Sequence, residues 1–73
     1  MTRSIRTKEY AYFVERLQKA RHETGLTQVQ VAKKLNRPQS HISNVESGQQ
    51  RVDVVELQVF AKIYNKDIKY FIK

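Results

Sequence analysis

The residues whose types and spacing could do chemistry are concentrated in one short stretch. Gln39, Ser40, Ser43 and Asn44 are amides and hydroxyls, able to donate and accept hydrogen bonds without carrying charge. At helical spacing they share one polar face, with Ile42 and Val45 behind it. An ordinary solvated helix face carries Lys and Glu, which are strong helix formers. A charge-free face of short side chains instead lets a helix backbone come close to a second surface and exchange hydrogen bonds with it. Lys33, Lys34, Arg37 and Arg51 flank the stretch, so the pattern suits base edges at its centre and phosphates at its rim.

The charge of the whole chain points the same way. Fourteen basic residues against seven acidic ones give a net charge of +7 over 73 residues, a balance that favours polyanions. An anionic membrane surface calls for an amphipathic helix with basic residues on one face and Trp or Phe opposite. Here the basic residues are spread along the chain and Trp is absent. Double-stranded DNA is the better match.

Other chemistries find little support. There is no cysteine, which excludes disulfides and thiolate metal sites. His22 and His41 lie far apart with no carboxylate at ligand spacing, and lone histidines on helices are usually solvated, so no metal and no cofactor are expected. No nucleophile has a base at plausible spacing, and no glycine-rich loop could cradle a phosphate. Glu46 and Asp53 are a conceivable carboxylate pair, but structural roles suit both better, so the expectation is that the chain is not an enzyme. The apolar runs are far too short for a membrane span. The charged start at residues 1–6 has no apolar stretch behind it, which predicts no secretory signal and a soluble, cytoplasmic chain.

The elements that must position the polar face follow from the pattern of caps and apolar residues. Residues 1–6 read as a basic flexible arm and residues 7–73 as one domain. Phe13, Val14, Leu17 and Ala20 mark the inward stripe of a first helix that Gly25 ends. Thr27-Gln28-Val29-Gln30 has the form of a capping box opening a second helix, with Val31, Ala32 and Leu35 inward. Asn36-Arg37-Pro38 is a tight connection to a third helix at about residues 38–47, which Gly48 closes. Asp53-Val54-Val55-Glu56 is a second capping box, starting a fourth helix with Leu57, Phe60, Ala61 and Tyr64 inward and Asn65 at its end. Asp67 caps a last short helix carrying Ile68, Phe71 and Ile72. The fold class is therefore all-α, with five short helices.

Residues 25–48, GLTQVQVAKKLNRPQSHISNVESG, carry a resemblance that extends from about Phe13 to Phe71. Leu17 and Arg21, Gly25-Leu26-Thr27-Gln28, Val31-Ala32, Leu35, Gln39-Ser40, Ile42-Ser43, Glu46, Gly48, Leu57 and Ala61 resemble the phage-repressor-like (Cro/repressor-type, XRE) helix-turn-helix domains without an internal gap. The resemblance implies a lambda-repressor-like bundle whose third helix enters the major groove. It implies base contacts from Gln39, Ser40 and Asn44, with Ser43 at the edge. Gln28 would bond a phosphate and brace Gln39, while Ser47 and the amides beyond Gly48 would meet the DNA backbone. Lys34, Arg37 and Arg51 are further candidate phosphate contacts, and Arg21 and Glu46 are placed face to face as a structural ion pair. Two departures stand out. His41 replaces a smaller residue and is expected to touch a phosphate or pack on the first helix. Lys66 falls where an apolar residue is usual, so the last helix is expected to dock differently.

The resulting expectation is a sequence-specific transcriptional regulator, a repressor or autoregulator of bacterial or phage type, with no small-molecule effector domain. A short repressor, a controller protein and an antitoxin-type autoregulator all fit, and the sequence does not separate them. An adaptor that has lost DNA reading would carry an acidic or apolar third-helix face, and neither is seen. One short recognition helix reaches only a few base pairs, which predicts a homodimer on an inverted repeat. Tyr70 and Ile72, with Ile63, are the expected contacts, because the C-terminal segment holds more apolar side chains than one short helix can bury.

Overall fold

A computed structural model describes residues 7–72, and the arm expected at residues 1–6 lies outside them. Four α-helices, α1 (Lys8–Thr24), α2 (Gln28–Leu35), α3 (Gln39–Glu46) and α4 (Val54–Tyr64), are followed by one 3₁₀ turn, Ile68–Phe71. Every start except that of α3 has a side-chain cap. Thr7 Oγ1 accepts from the Tyr10 amide at 3.1 Å. At α2 the capping box is complete: Thr27 Oγ1 accepts from Gln30 N at 3.1 Å, and Gln30 Oε1 accepts from Thr27 N at 2.8 Å.

All four α-helices end in the same way. Gly25, Asn36, Gly48 and Asn65 sit in the left-handed region at φ 76°, 59°, 83° and 55°. Behind each, the next amide reaches back five residues: Leu26 to Arg21 O, Arg37 to Ala32 O, Gln49 to Asn44 O and Lys66 to Ala61 O, at 2.8–3.3 Å. This is the Schellman closure, which satisfies carbonyls a helix end would otherwise orphan. Glycine adopts the left-handed state without strain, and asparagine is among the few side chains that tolerate it. The sharp exit at Asn36, followed by the extended backbone of Pro38 (φ −68°, ψ 155°), turns the chain from α2 into α3 within three residues.

Two expected elements differ. The fifth helix is a single 3₁₀ turn of four residues, too few for successive i→i−4 bonds. At α4 only half of the second capping box forms. Asp53 Oδ1 accepts from Glu56 N at 2.8 Å, but the Glu56 carboxylate points to His41 rather than back to the Asp53 amide.

Every helix contributes to one core: Phe13, Leu17 and Ala20 from α1, Val31 and Ala32 from α2, Ile42 and Val45 from α3, and Phe60, Ala61 and Tyr64 from α4, closed by Phe71. Val14, Leu35 and Leu57, also expected inward, are half-buried against it. Phe71 meets Phe13 edge-on with ring centroids 6.4 Å apart, pinning the C-terminal turn to α1. The core matters for function because it makes the back of α3 rigid: Ile42 and Val45 have no exposed surface.

Candidate nucleic-acid interface

With about 100° of rotation per residue, the side chains of α3 divide cleanly. Gln39, Ser40, Ser43, Asn44 and the adjoining Ser47 share one sector and are exposed, while His41, Ile42, Val45 and Glu46 are buried. The front is thus a band of uncharged donors and acceptors on a short, firmly seated helix. Its opening residue is tied back to α2, since Gln39 Nε2 donates to Gln28 Oε1 at 3.3 Å. Gln28 Nε2 in turn donates to Glu46 Oε1 at 3.1 Å.

Glu46 is the hub of this chain of contacts. Arg21 grips it with two bonds, Nε to Oε2 at 2.7 Å and Nη2 to Oε1 at 3.0 Å, and a further Arg21 nitrogen, Nη1, donates to the Leu26 carbonyl at 3.0 Å. The side chains retain only 14% and 7% exposure, so the ion pair lies below the surface. Hydrogen bonding to Glu46 raises the Arg21 pKa above its ordinary value, against an opposing effect of burial. Gln18 Nε2 adds a bond to the Glu46 carbonyl. One connected network therefore joins α1, the start of α2 and both ends of α3. Burial pushes the pKa of the Tyr64 hydroxyl well above the usual phenol value; the Glu46 charge adds to the shift and Arg21 opposes it.

A family model for the helix-turn-helix domain matches residues 13–67, most of the chain. The chain belongs to the helix-turn-helix family. It is of the phage-repressor-like type, and it is a DNA-binding regulator of transcription. Solved structures share the fold. The restriction-modification controller protein C.AhdI from Aeromonas hydrophila is 26% identical with a TM-score of 0.77, over 85% of this chain and 94% of that one. The SOS-response transcriptional repressor LexA from Eubacterium rectale is 20% identical with a TM-score of 0.83, over 94% of this chain and 73% of that one. Hydroxypropylphosphonic acid epoxidase from S. wedmorenis reaches a TM-score of 0.83 at 16% identity, but only 36% of its chain is covered, and the likeness is one of fold. A search of curated protein sequences finds no match.

Within this helix-turn-helix domain the candidate phosphate contacts fall into distinct settings. Lys33 and Lys34 are exposed on the last turn of α2. Arg51 lies in the loop after α3, its guanidinium 4.8 Å from the centre of the Tyr10 ring. Ser47 donates its hydroxyl proton to the Asn44 carbonyl at 3.1 Å. The amides beyond Gly48 are engaged inside the chain: Gln49 N and Gln50 N both bond the Asn44 carbonyl, at 2.8 and 3.2 Å, and Val52 N bonds the Tyr10 hydroxyl at 3.1 Å.

His41 differs from both settings expected for it. It is buried and turned toward α4, where its Nε2 lies 2.9 Å from Glu56 Oε1. Arg37 closes the group, with Nη2 3.2 Å from His41 Nδ1 and Nε 3.7 Å from Glu56 Oε2. Sequence spacing concealed this arrangement because His41 and Glu56 come from different helices. Its only local signal was Glu56 at the third position of a helix, where a carboxylate is normally spent on the cap. Lys66, the other departure, pairs with Glu23 at 2.9 Å and sits 4.5 Å from the centre of the Tyr70 ring. An ammonium there stacks and pairs at the rim instead of entering the core.

Proposed function

We propose that this helix-turn-helix regulator reads one half-site of an inverted repeat per chain, as a homodimer acting as a repressor or autoregulator. The carrying observation is the exposed, uncharged face of α3 seated on a fully buried back. Gln39, Ser40, Ser43 and Asn44 meet base edges, where an amide can pair bidentately with adenine. Gln28, Lys34, Arg37, Ser47 and Arg51 meet phosphates and supply affinity without sequence preference. The likeness along 94% of a restriction-modification controller protein favours a controller-type regulator, working in the cytoplasm, over an enzyme.

For the dimer, exposure favours the C-terminal region in a revised form. Tyr70 is half-buried, with Arg16 4.0 Å and Lys66 4.5 Å from its ring centre, and Ile63 packs against the core. Ile72 is 55% exposed and borders an apolar groove with Val52, Leu57 and Phe71, while Val54 and Val55 are each 66% exposed on the first turn of α4. Ile72 and the start of α4 are the surfaces a second copy would cover.

Selection from a random duplex library with the purified protein tests the reading. Enrichment of an inverted repeat, with two chains per duplex in sedimentation, is the expected result. No enrichment, or one chain per duplex at saturation, contradicts it.

A further inference from the structure

The group formed by Arg37, His41 and Glu56 has a geometry that a simple phosphate contact does not need. Arg37 stands in the turn immediately before α3, two residues ahead of the first candidate base reader. Its guanidinium is held at two points by side chains from two helices, Nη2 at His41 and Nε toward Glu56, yet 45% of the side chain stays exposed. Arg37 Nη2 lies against the His41 ring, 3.2 Å from Nδ1 and 3.4 Å from Nε2, while Nε2 also faces Glu56 Oε1 at 2.9 Å, so one buried ring meets both partners. Burying the ring puts two polar nitrogens out of water, and both find partners.

We infer that His41 and Glu56 are positioning residues, which hold the Arg37 guanidinium ready for a backbone phosphate at the entrance of α3. The inference rests on the α3 reading above. A free arginine samples many rotamers and loses that freedom on binding, whereas a tethered one has largely lost it in the unbound protein. The tether also orients the planar guanidinium for a bidentate approach.

The sign of one substitution separates this from plain electrostatics. Glu56→Gln removes a negative charge from a basic protein, so long-range attraction alone would strengthen its binding to DNA. The inference requires the opposite: affinity for the selected duplex falls about three- to tenfold, the cost of ordering one long side chain on binding. It further requires that this loss vanish in an Arg37→Ala background, because the effect passes through Arg37.

The experiment is a double-mutant cycle on the full chain, read as duplex affinity, with parent, Glu56→Gln, Arg37→Ala and the double variant. Loss in the first variant and none beyond Arg37→Ala in the double variant is the expected result. Tighter binding by Glu56→Gln would mean that the carboxylate sequesters Arg37, and an equal loss in both backgrounds would mean that Glu56 only supports the fold. Either outcome overturns the inference. Should Glu56→Gln unfold, Arg37→Lys serves in its place. It keeps the charge but cannot be held as a planar fork, so it must show most of the Arg37→Ala loss, and parental affinity would overturn the inference. If the parent itself binds no duplex selectively, the α3 reading falls together with this one; an additive cycle in a parent that binds removes the inference alone.

Discussion

Arg21 and Glu46 offer a direct test of what holds the recognition helix. Arg21→Met leaves the Glu46 carboxylate, whose side chain is only 7% exposed, with the Gln28 amide in place of a two-point guanidinium grip. Stranding one member of a buried pair costs about 3–5 kcal/mol. Glu46→Gln is milder, because an amide oxygen still accepts from Arg21, and should cost about 1.5–3 kcal/mol for the lost charge-assisted bonds. A domain of this length has roughly 4–11 kcal/mol of stability in all, so Arg21→Met should bring unfolding near working temperatures. Each kcal/mol lowers Tm by about 4–8 °C at this size. Urea titrations followed by far-UV circular dichroism measure both variants against the parent. Arg21→Met combined with Glu46→Leu should cost less than the sum of the single changes, since no charge is then left stranded. If each single variant shifts the unfolding free energy by less than about 0.5 kcal/mol, the level of an ordinary surface change, the pair does not hold α3 and the argument fails.

Gly48→Ala should cost about 1–2 kcal/mol through its φ of 83°, and unchanged denaturant unfolding would contradict the closure described for α3. Gly25→Ala should cost a similar amount from backbone strain alone, because an added Cβ would meet nothing within 4 Å. The hydrogen bond from Lys66 lowers the Glu23 pKa below its ordinary value of 4.5. A depressed carboxylate favours the folded state at neutral pH, and that contribution disappears as pH falls through the lowered pKa. NMR titration should place the Glu23 midpoint below 4.5 in the parent and return it upward in Lys66→Ala; coincident midpoints would refute the contact in solution. Ile72→Glu should leave the fold intact and reduce the duplex complex from two chains to one at limiting protein concentration in sedimentation. Unchanged cooperativity would remove this surface as the interface.

Much of the frame was legible because caps and terminators act locally. Thr27 with Gln30, and Asn36, Gly48 and Asn65, declare helix ends within a few residues of themselves, and each lies where the local rules place it. The inward residues of α3 were legible for the same reason, since Ile42 and Val45 are the only large aliphatic residues in that stretch. The rest depended on contacts between distant segments. Glu56 belonged to a plausible capping box, yet a buried imidazole in α3 competes better for its carboxylate than an exposed amide does. Tyr70 looked like a surplus apolar residue for a partner, but Arg16 from α1 covers its ring and also donates to its carbonyl at 3.0 Å. Composition marks neither event, because each needs two segments to have already packed.

The central claim is that the uncharged face of α3 reads sequence, and Gln39→Ala tests it most directly. Its affinity should be measured on the selected duplex and on a random duplex of equal length at the same salt. The account predicts a loss of about 1–3 kcal/mol on the selected duplex with little change on the random one, and an unaltered salt slope because no phosphate contact is removed. Equal losses on the two duplexes would show that Gln39 supplies only general affinity and that α3 is not the reader.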